Sequence, residues 1–185
     1  MRTVAELACE TRDDLPLKVR AQVVGVLNHR LADAIDIDIQ TNGAHWTMKE
    51  PGFIALHELL DGIHAAIEGY VGLLAERVVQ LGGIAAGTAQ LVAHRSELVV
   101  YPRYIPNGSD HLKAVADSLA LFGQQMRRAI GQMAALGDLD SAVICTEVSR
   151  GVDKWLRMVE VDGQHAPDRG APMRMAAWVP TAAGP

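Results

Sequence analysis

The apolar positions of this chain follow a helical pattern over most of its length. Apolar residues recur every three or four positions in four long segments, whereas the strict alternation typical of strands is almost absent. The pattern predicts long helices over residues 19–48, 53–81 and 109–136, and a fourth from the turn at Gly137-Asp138 to about residue 161.

The segments between the predicted helices determine how the helices are connected. A break at residues 49–52 joins the first two helices, and Gly82-Gly83 ends the second. Residues 84–108 form a long connection with one short helix near residues 88–94. Two hairpins joined by a long crossover predict an all-α fold. It is a four-helix bundle of ferritin-like connectivity, with a short helix in the crossover between helices 2 and 3.

Capping residues and proline content indicate where the bundle begins and ends. Asp13 or Asp14 is expected to cap the first helix, and Ser109 the third. Four prolines mark the last part of the chain as irregular. The predicted organisation is an N-terminal leader over 1–18, a bundle over 19–161 and an irregular C-terminal tail over 162–185.

Composition and charge narrow the class of protein. With 49% hydrophobic and 21% charged residues, the chain of 185 residues is typical of one globular domain. Its formal net charge of −5 disfavours nucleic acid as a partner. No apolar run is long enough to cross a bilayer, and residues 1–20 lack the apolar core of a signal peptide, so we expect a cytoplasmic protein. Cys9 and Cys145 show no CxxC pattern, which argues against a disulfide or a zinc site.

The second predicted helix carries a ridge of potential metal ligands beside its apolar face. With successive residues about 100° apart, its core-facing arc comprises Phe53, Leu56, Leu60, Ile63, Ile67, Val71, Leu74, Val78 and Leu81. The ridge next to that arc comprises His57, Asp61, His64 and Glu68, followed a little further round by Gly72 and Glu76. His45 ends the preceding helix. Imidazole and carboxylate suit Fe(II) near pH 7 because neither needs a costly deprotonation. The pattern therefore favours a carboxylate–histidine metal site over a solvated polar face.

A series of short motifs extends over about residues 20–160. It comprises His45-Trp46, Pro51-Gly52-Phe53, Leu56-His57-Glu58, Asp61, Ala75-Glu76-Arg77, Leu81-Gly82-Gly83, Tyr101-Pro102, Asp110-His111-Leu112, Ser149-Arg150 and Asp153-Lys154. In this combination the motifs resemble the Dps family, the DNA-binding proteins from starved cells. The resemblance implies a ferritin-like subunit in a hollow homododecamer. Such a shell would be a ferroxidase that oxidises Fe(II), preferably with hydrogen peroxide, stores the ferric mineral inside and protects against oxidative damage.

The resemblance also implies where the ferroxidase site lies. In the family it straddles a two-fold interface, where one subunit would contribute His45, His57 and Asp61. Its mate would contribute a carboxylate pair at the positions of Gly72 and Glu76. This chain departs from the pattern at Gly72, which is expected to weaken the principal iron position. The alternative to an active ferroxidase is therefore a structural shell with an impaired site.

Neighbouring side chains offer two ways to compensate for Gly72. Glu68 lies one turn earlier on the same face, but helical side chains lean toward the N-terminus, so Glu68 reaches away from position 72. Alternatively, His64 and Glu68 could build a shifted or an additional site. Gly72 also has a structural explanation, because glycine allows a partner backbone or a bulky side chain to approach closely at a packed interface.

Acidic residues open the fourth predicted helix. Asp138 and Asp140 suit the positive end of the helix dipole. In the family, acidic residues at this place line three-fold pores that admit iron. Val143 stands where the family has a further aspartate, so such a pore would be less acidic. Pore and capping roles both remain open for the two aspartates.

Charge makes DNA an unfavourable partner despite the family's name. DNA binders of the family commonly use a Lys-rich tail, whereas the basic residues near both termini of this chain are accompanied by acidic ones. A dodecamer would carry a net charge of about −60, which repels DNA. We expect DNA binding to be weak or absent, and we keep DNA compaction and association with the nucleoid as the disfavoured alternatives.

Structural roles are expected for two tryptophans, for Arg77 and for the histidines outside the ligand ridge. Packing roles are expected for Trp46 and Trp155, and an ion pair is expected for Arg77. Surface or capping roles are expected for the remaining histidines, His29, His94, His111 and His165.

Overall fold

The computed structural model describes residues 9–48, 54–105 and 107–165. It contains α1 (Leu17–Thr47), α2 (Ile54–Gln80), α3 (Ala89–Arg95), α4 (Gly108–Leu136) and α5 (Leu139–His165). The prediction of an all-α bundle with a short helix in the crossover is confirmed. Residues 17 and 18 of the predicted leader and 162–165 of the predicted tail are helical. The break at 49–52, Phe53, the first eight residues and residues 166–185 lie outside the described residues.

The predicted helix caps are wrong at both positions. The residue before α1 is Pro16, with no side-chain capping bond, and the Asp13 carboxylate instead accepts from the backbone N–H of Leu15 at 2.9 Å. The N-cap of α4 is Asn107, whose side-chain oxygen accepts from the N–H of Asp110 at 2.9 Å. Asparagine and serine cap comparably well, so residue type alone did not decide between position 107 and Ser109.

Two antiparallel hairpins, α1–α2 and α4–α5, pack on each other around one apolar core. The predicted arc of α2 lies in this core, as expected for an amphipathic helix. Its buried members are Leu56, Leu60, Ile63, Ile67, Leu74, Val78 and, just beyond the helix, Leu81, while Val71 is partly buried. Within the described residues, no helix is both long and apolar enough for a membrane span. The packing leaves the ligand ridge of α2 at the edge of the core.

Ion pairs of two buried arginines tie α1 to the crossover and α2 to the start of α5. Arg30 and Asp33 pair on α1, and Arg30 also reaches Glu97 of the crossover at 2.8 Å. Desolvation by burial raises the pKa of Asp33, against the opposing effect of Arg30. Arg77 near the end of α2 pairs with Asp138 before α5 at 2.9 Å, which agrees with the ion-pair role expected for Arg77.

Candidate metal centre

The α1–α2 hairpin brings His45, His57 and Asp61 together. The imidazole rings of His45 and His57 meet edge to face with centroids 4.5 Å apart. Nε2 of His45 lies 3.3 Å from Oδ1 of Asp61. His57 and Asp61 are four residues apart and so share one face of α2, while His45 approaches from the last turn of α1. Two imidazoles and one carboxylate thus lie side by side, although His45 and His57 belong to different helices.

This cluster lies at the surface of the subunit. The side chains of His45 and Asp61 are 31% and 68% exposed, and the neighbouring Trp46 is 75% exposed. Within the part of the chain that the structure describes, no group of three or more His, Cys, Asp or Glu side chains is arranged to hold a metal ion. The three side chains therefore form half of a site at most, open toward solvent.

Glu76 lies on the exposed side of α2 but far from the cluster. Fifteen residues separate it from Asp61 on one continuous helix, which corresponds to about 22 Å along the axis. A carboxylate side chain cannot span that distance. The structure therefore does not bring Glu76 to His45, His57 and Asp61 within one subunit.

Gly72 faces open space in the subunit. Among the described residues beyond the adjacent turns of α2, a Cβ atom added to Gly72 would meet no atom within 4 Å, whereas one added to Gly62 would come within 2.8 Å of the Trp155 ring. Packing inside the subunit thus explains the glycine at position 62 and does not explain Gly72. Within the described residues, nothing packs against the open side of Gly72.

A second polar cluster lies two helical turns along the same hairpin. Nδ1 of His64 is 2.6 Å from Oδ1 of Asp38 and 2.9 Å from Nδ2 of Asn42. Asp38 and Asn42 precede His45 on the same side of α1, just as His64 follows His57 on α2. Sequence reasoning identified His64 but missed Asp38. The seven-residue spacing from Asp38 to His45, matched by that from His57 to His64, could have indicated the pairing. Glu68 follows His64 and is exposed.

The two aspartates at the start of α5 have different surroundings. Asp138 is 2% exposed, and its carboxylate accepts hydrogen bonds from Arg77 at 2.9 Å and from the Ser141 hydroxyl at 2.6 Å. It also accepts from the Ser141 N–H at 3.0 Å, so it caps α5. Asp140 is exposed, as is Val143. Of the two, only Asp140 presents its carboxylate to solvent.

The surface role expected for His111 is wrong. His111 is 4% exposed, and the Tyr101 hydroxyl lies 2.6 Å from its Nδ1. Burial lowers the pKa of His111 and raises the pKa of Tyr101 to about 12, so both groups are held neutral. His29 and His94 are exposed as expected, and the side chain of His165 lies outside the described residues.

The two tryptophans differ in their contacts. Trp155 packs against Gly62, in line with its expected packing role, and the Lys154 amine lies 5.3 Å from the centre of its ring. Trp46 remains exposed beside His45, so the subunit by itself offers it little packing.

Comparisons with known proteins agree with this architecture. Residues 24–160 match the ferritin-like domain family. The chain is 40% identical over 155 residues to the DNA protection during starvation protein of Agrobacterium fabrum, which covers 84% of this chain and 96% of that protein. The structure of the present chain resembles that of the Dps homologue from the archaeon Halobacterium salinarum. The TM-score is 0.80 and the identity 20%, and the match covers 93% of this chain and 94% of that one. It also resembles Dps from Microbacterium arborescens in the high iron form, with a TM-score of 0.74 and 26% identity over 83% and 98% of the two chains.

The helical bundle and the family match define a ferritin-like protein. Within that class, the chain belongs to the Dps family, the DNA protection during starvation proteins.

Proposed function

We propose that two copies of this chain pair through their α1–α2 hairpins and thereby complete a ferroxidase site for Fe(II). The observation that carries the proposal is the contact set of His45, His57 and Asp61 at an exposed surface. Its donor atoms are those that bind divalent iron, and they are too few to hold it alone. Glu76 is the missing carboxylate, available only from a second copy.

A two-fold pair supplies Glu76 without any change within the subunit. In such an interface each surface meets its own copy, so every contact occurs twice. Antiparallel α2 helices can set Asp61 of one subunit opposite Glu76 of the partner subunit, which creates two equivalent sites. Exposed apolar side chains on this hairpin, Ile39, Trp46 and Ile54, would be removed from water by the same pairing.

The chemistry proposed for the site is oxidation of iron as substrate. Two Fe(II) ions each give one electron to hydrogen peroxide, whose O–O bond breaks. With two further water molecules the products are two FeOOH units and four protons. The carboxylates stabilise the charge that develops on Fe(III), and the imidazoles bind Fe(II) without first losing a proton. Because peroxide is reduced by two electrons at once, little hydroxyl radical forms, which would protect the cell from oxidative damage.

The same proposal includes the assembly and its location. We propose a hollow homododecamer that stores the ferric mineral inside, in the cytoplasm. The structural likeness to Dps in a high iron form supports a role in iron handling.

The test follows ferric absorbance after Fe(II) and hydrogen peroxide are added to the purified assembly. His45→Ala, His57→Ala and Glu76→Ala are each expected to lower the initial rate at least about tenfold, because each removes a ligand. His94→Ala, an exposed histidine on α3, serves as the control and keeps the wild-type rate. Equal rates in all five proteins would instead support a structural shell with an impaired site.

Restoring the absent carboxylate is expected to strengthen the site. Gly72→Asp adds a charged oxygen ligand at an open position, and it should raise both the affinity for Fe(II) and the initial oxidation rate. The helix tolerates the change because aspartate is a better helix former than glycine. Titration with Fe(II) under anaerobic conditions measures the affinity. An unchanged affinity and rate would show that position 72 does not face the iron.

Protection of DNA is expected to work through iron and not through tight binding. With a net charge of −5 per chain, we expect few Lys or Arg contacts to DNA phosphates and hence little release of counterions from a duplex. The purified assembly should therefore leave duplex DNA unretarded on a gel at physiological salt while it still prevents cleavage of that DNA by Fe(II) and peroxide. Strong retardation would contradict this prediction, and Glu76→Ala should lose the protective effect.

A further inference from the structure

The Asp38–His64 pair has the geometry of an oriented metal ligand. Oδ1 of Asp38 lies 2.6 Å from Nδ1 of His64, and a carboxylate can only accept, so Nδ1 carries the proton. Nδ2 of Asn42 lies 2.9 Å from the same Nδ1 and donates to the backbone oxygen of Asp38 at 3.3 Å, so Asn42 helps to hold the pair in place. Nε2 is left with its lone pair. Histidines that bind a metal ion through one ring nitrogen usually donate a hydrogen bond from the other nitrogen, often to a carboxylate. His64 shows this arrangement, with Nε2 as the nitrogen available to a metal ion.

His64 also stands at the right spacing from Asp61. The two are three residues apart on α2, which puts their side chains on one face with Cβ atoms about 5–6 Å apart. An acidic residue followed by histidine at this spacing is a ligand pair that helical bundles use for iron. His64 leans toward the N-terminus of α2 and hence toward Asp61. Glu68, seven residues from Asp61, is about 10 Å away along the axis.

The two-fold pairing places His64 opposite the open position. If Asp61 faces Glu76 of the partner subunit across antiparallel α2 helices, residue 64 faces residue 73, next to Gly72. Gly72 has no side chain, and apart from the surrounding turns of its own helix nothing in the described part of its subunit lies within 4 Å of where a Cβ would be. The side chain of His64 is 37% exposed in the single subunit although its Nδ1 contacts Asp38 of α1. The space that a carboxylate at 72 would fill is thus free for an imidazole from the other subunit.

We propose that His64, oriented by Asp38, is an iron ligand that takes the place of the carboxylate absent at position 72. The ion is then bound by Asp61 and His64 of one subunit together with Glu76 of the partner subunit, next to His45 and His57. This inference rests on the proposed function, since it uses the same two-fold site. In this arrangement the imidazole of His64 from one subunit occupies the space left by the missing side chain at position 72 of the other subunit.

The test measures binding of Co(II) alone to the assembled full-length protein, by calorimetry and by the visible absorption of the bound ion. His64→Ala is expected to weaken Co(II) binding about ten- to a hundredfold and to change the absorption spectrum, because one nitrogen ligand is lost. Asp38→Asn is expected to weaken it less, since it alters only the orientation and basicity of the ring. His94→Ala is the control and leaves both readouts unchanged. Size-exclusion chromatography establishes that every variant remains assembled.

A double-mutant comparison separates a ligand role from a purely structural one. Gly72→Asp is expected to raise Co(II) affinity by a larger factor in the His64→Ala background than in the wild type, because the new carboxylate fills the position that His64 has left. An equal gain in both backgrounds would show that His64 and position 72 do not share a site and would overturn the proposal. So would a His64→Ala protein with wild-type affinity and spectrum.

The His57→Ala variant distinguishes a failure of the role proposed for His64 from a failure of the proposed ferroxidase site. If His57→Ala loses Co(II) binding while His64→Ala does not, the ferroxidase site stands and the role of His64 is wrong. If neither change affects Co(II) binding, the proposed function itself fails.

Discussion

Mixing His57→Ala and Glu76→Ala chains in one assembly is expected to restore ferroxidase activity that neither variant has alone. His57 belongs to the half-site on one subunit, and Glu76 is about 28 Å from it along α2, so Glu76 must act on the other half of the pair. In a mixed two-fold pair, one site loses both ligands and the other keeps both. Random pairing of equal amounts should recover about a quarter of the wild-type rate, from the statistics of isologous pairs. The measurement is the initial rate of ferric absorbance in shells reassembled from both chains.

A second mixture provides the matched control. His45→Ala and His57→Ala remove ligands from the same half-site, where the two rings meet with centroids 4.5 Å apart. Every site in that mixture lacks one of the two histidines, so the rate should stay as low as in either variant alone. Recovery in the control mixture, or none in the His57→Ala and Glu76→Ala mixture, would contradict a site shared between subunits.

Asp138→Ala is expected to cause a large loss of stability. The carboxylate accepts from Arg77 and from both the N–H and the hydroxyl of Ser141, and it is 2% exposed. Its removal leaves the buried Arg77 guanidinium without its charge partner, which costs about 3–5 kcal/mol, and also removes the cap of α5. The free energy of unfolding from urea titration at one fixed subunit concentration measures the effect.

Two further variants identify the origin of that loss. Asp140→Ala removes an exposed carboxylate two residues away and should change the free energy of unfolding by no more than about 0.5 kcal/mol. Asp138→Asn keeps an oxygen for the cap but removes the charge. Its loss in free energy of unfolding should therefore lie between the losses of Asp138→Ala and Asp140→Ala. A loss below about 1 kcal/mol for Asp138→Ala would show that Arg77 finds another partner. Slower iron uptake in Asp140→Ala alone would favour a pore role for Asp140.

The helices could be predicted from sequence because their signal is local. Apolar spacing of three and four residues, interrupted by Gly82-Gly83 and Gly137, defines α2, α4 and α5 to within a few residues. The caps could not be predicted equally well. Asn107 and Ser109 are similar capping residues two positions apart. The structure has the extended backbone of an N-cap at Asn107, with φ −144° and ψ 164°, and Ser109 already lies inside α4.

The sequence predicted which residues of the candidate site lie together on α2. It did not predict the contacts between α2 and the other helices. His57, Asp61, His64 and Glu68 share a ridge because a single helix fixes their angular positions. The contact of His64 with Asp38 depends on how α1 and α2 are aligned against each other, which periodicity within either helix does not report. For the same reason the burial of His111 against Tyr101 was missed, since the crossover covers it from outside its own helix.

The sequence by itself determined the order of the helices, the ligand ridge on α2 and the glycine at position 72, because these depend on residue type and on spacing along one helix. The tertiary structure decided which of the ridge residues have partners. It joins His45 to His57 and Asp61, ties His64 to Asp38, buries Asp138 under Arg77 and leaves Gly72 open. The reason is that contacts between helices follow from the packing of a common core, to which residues far apart in sequence contribute together.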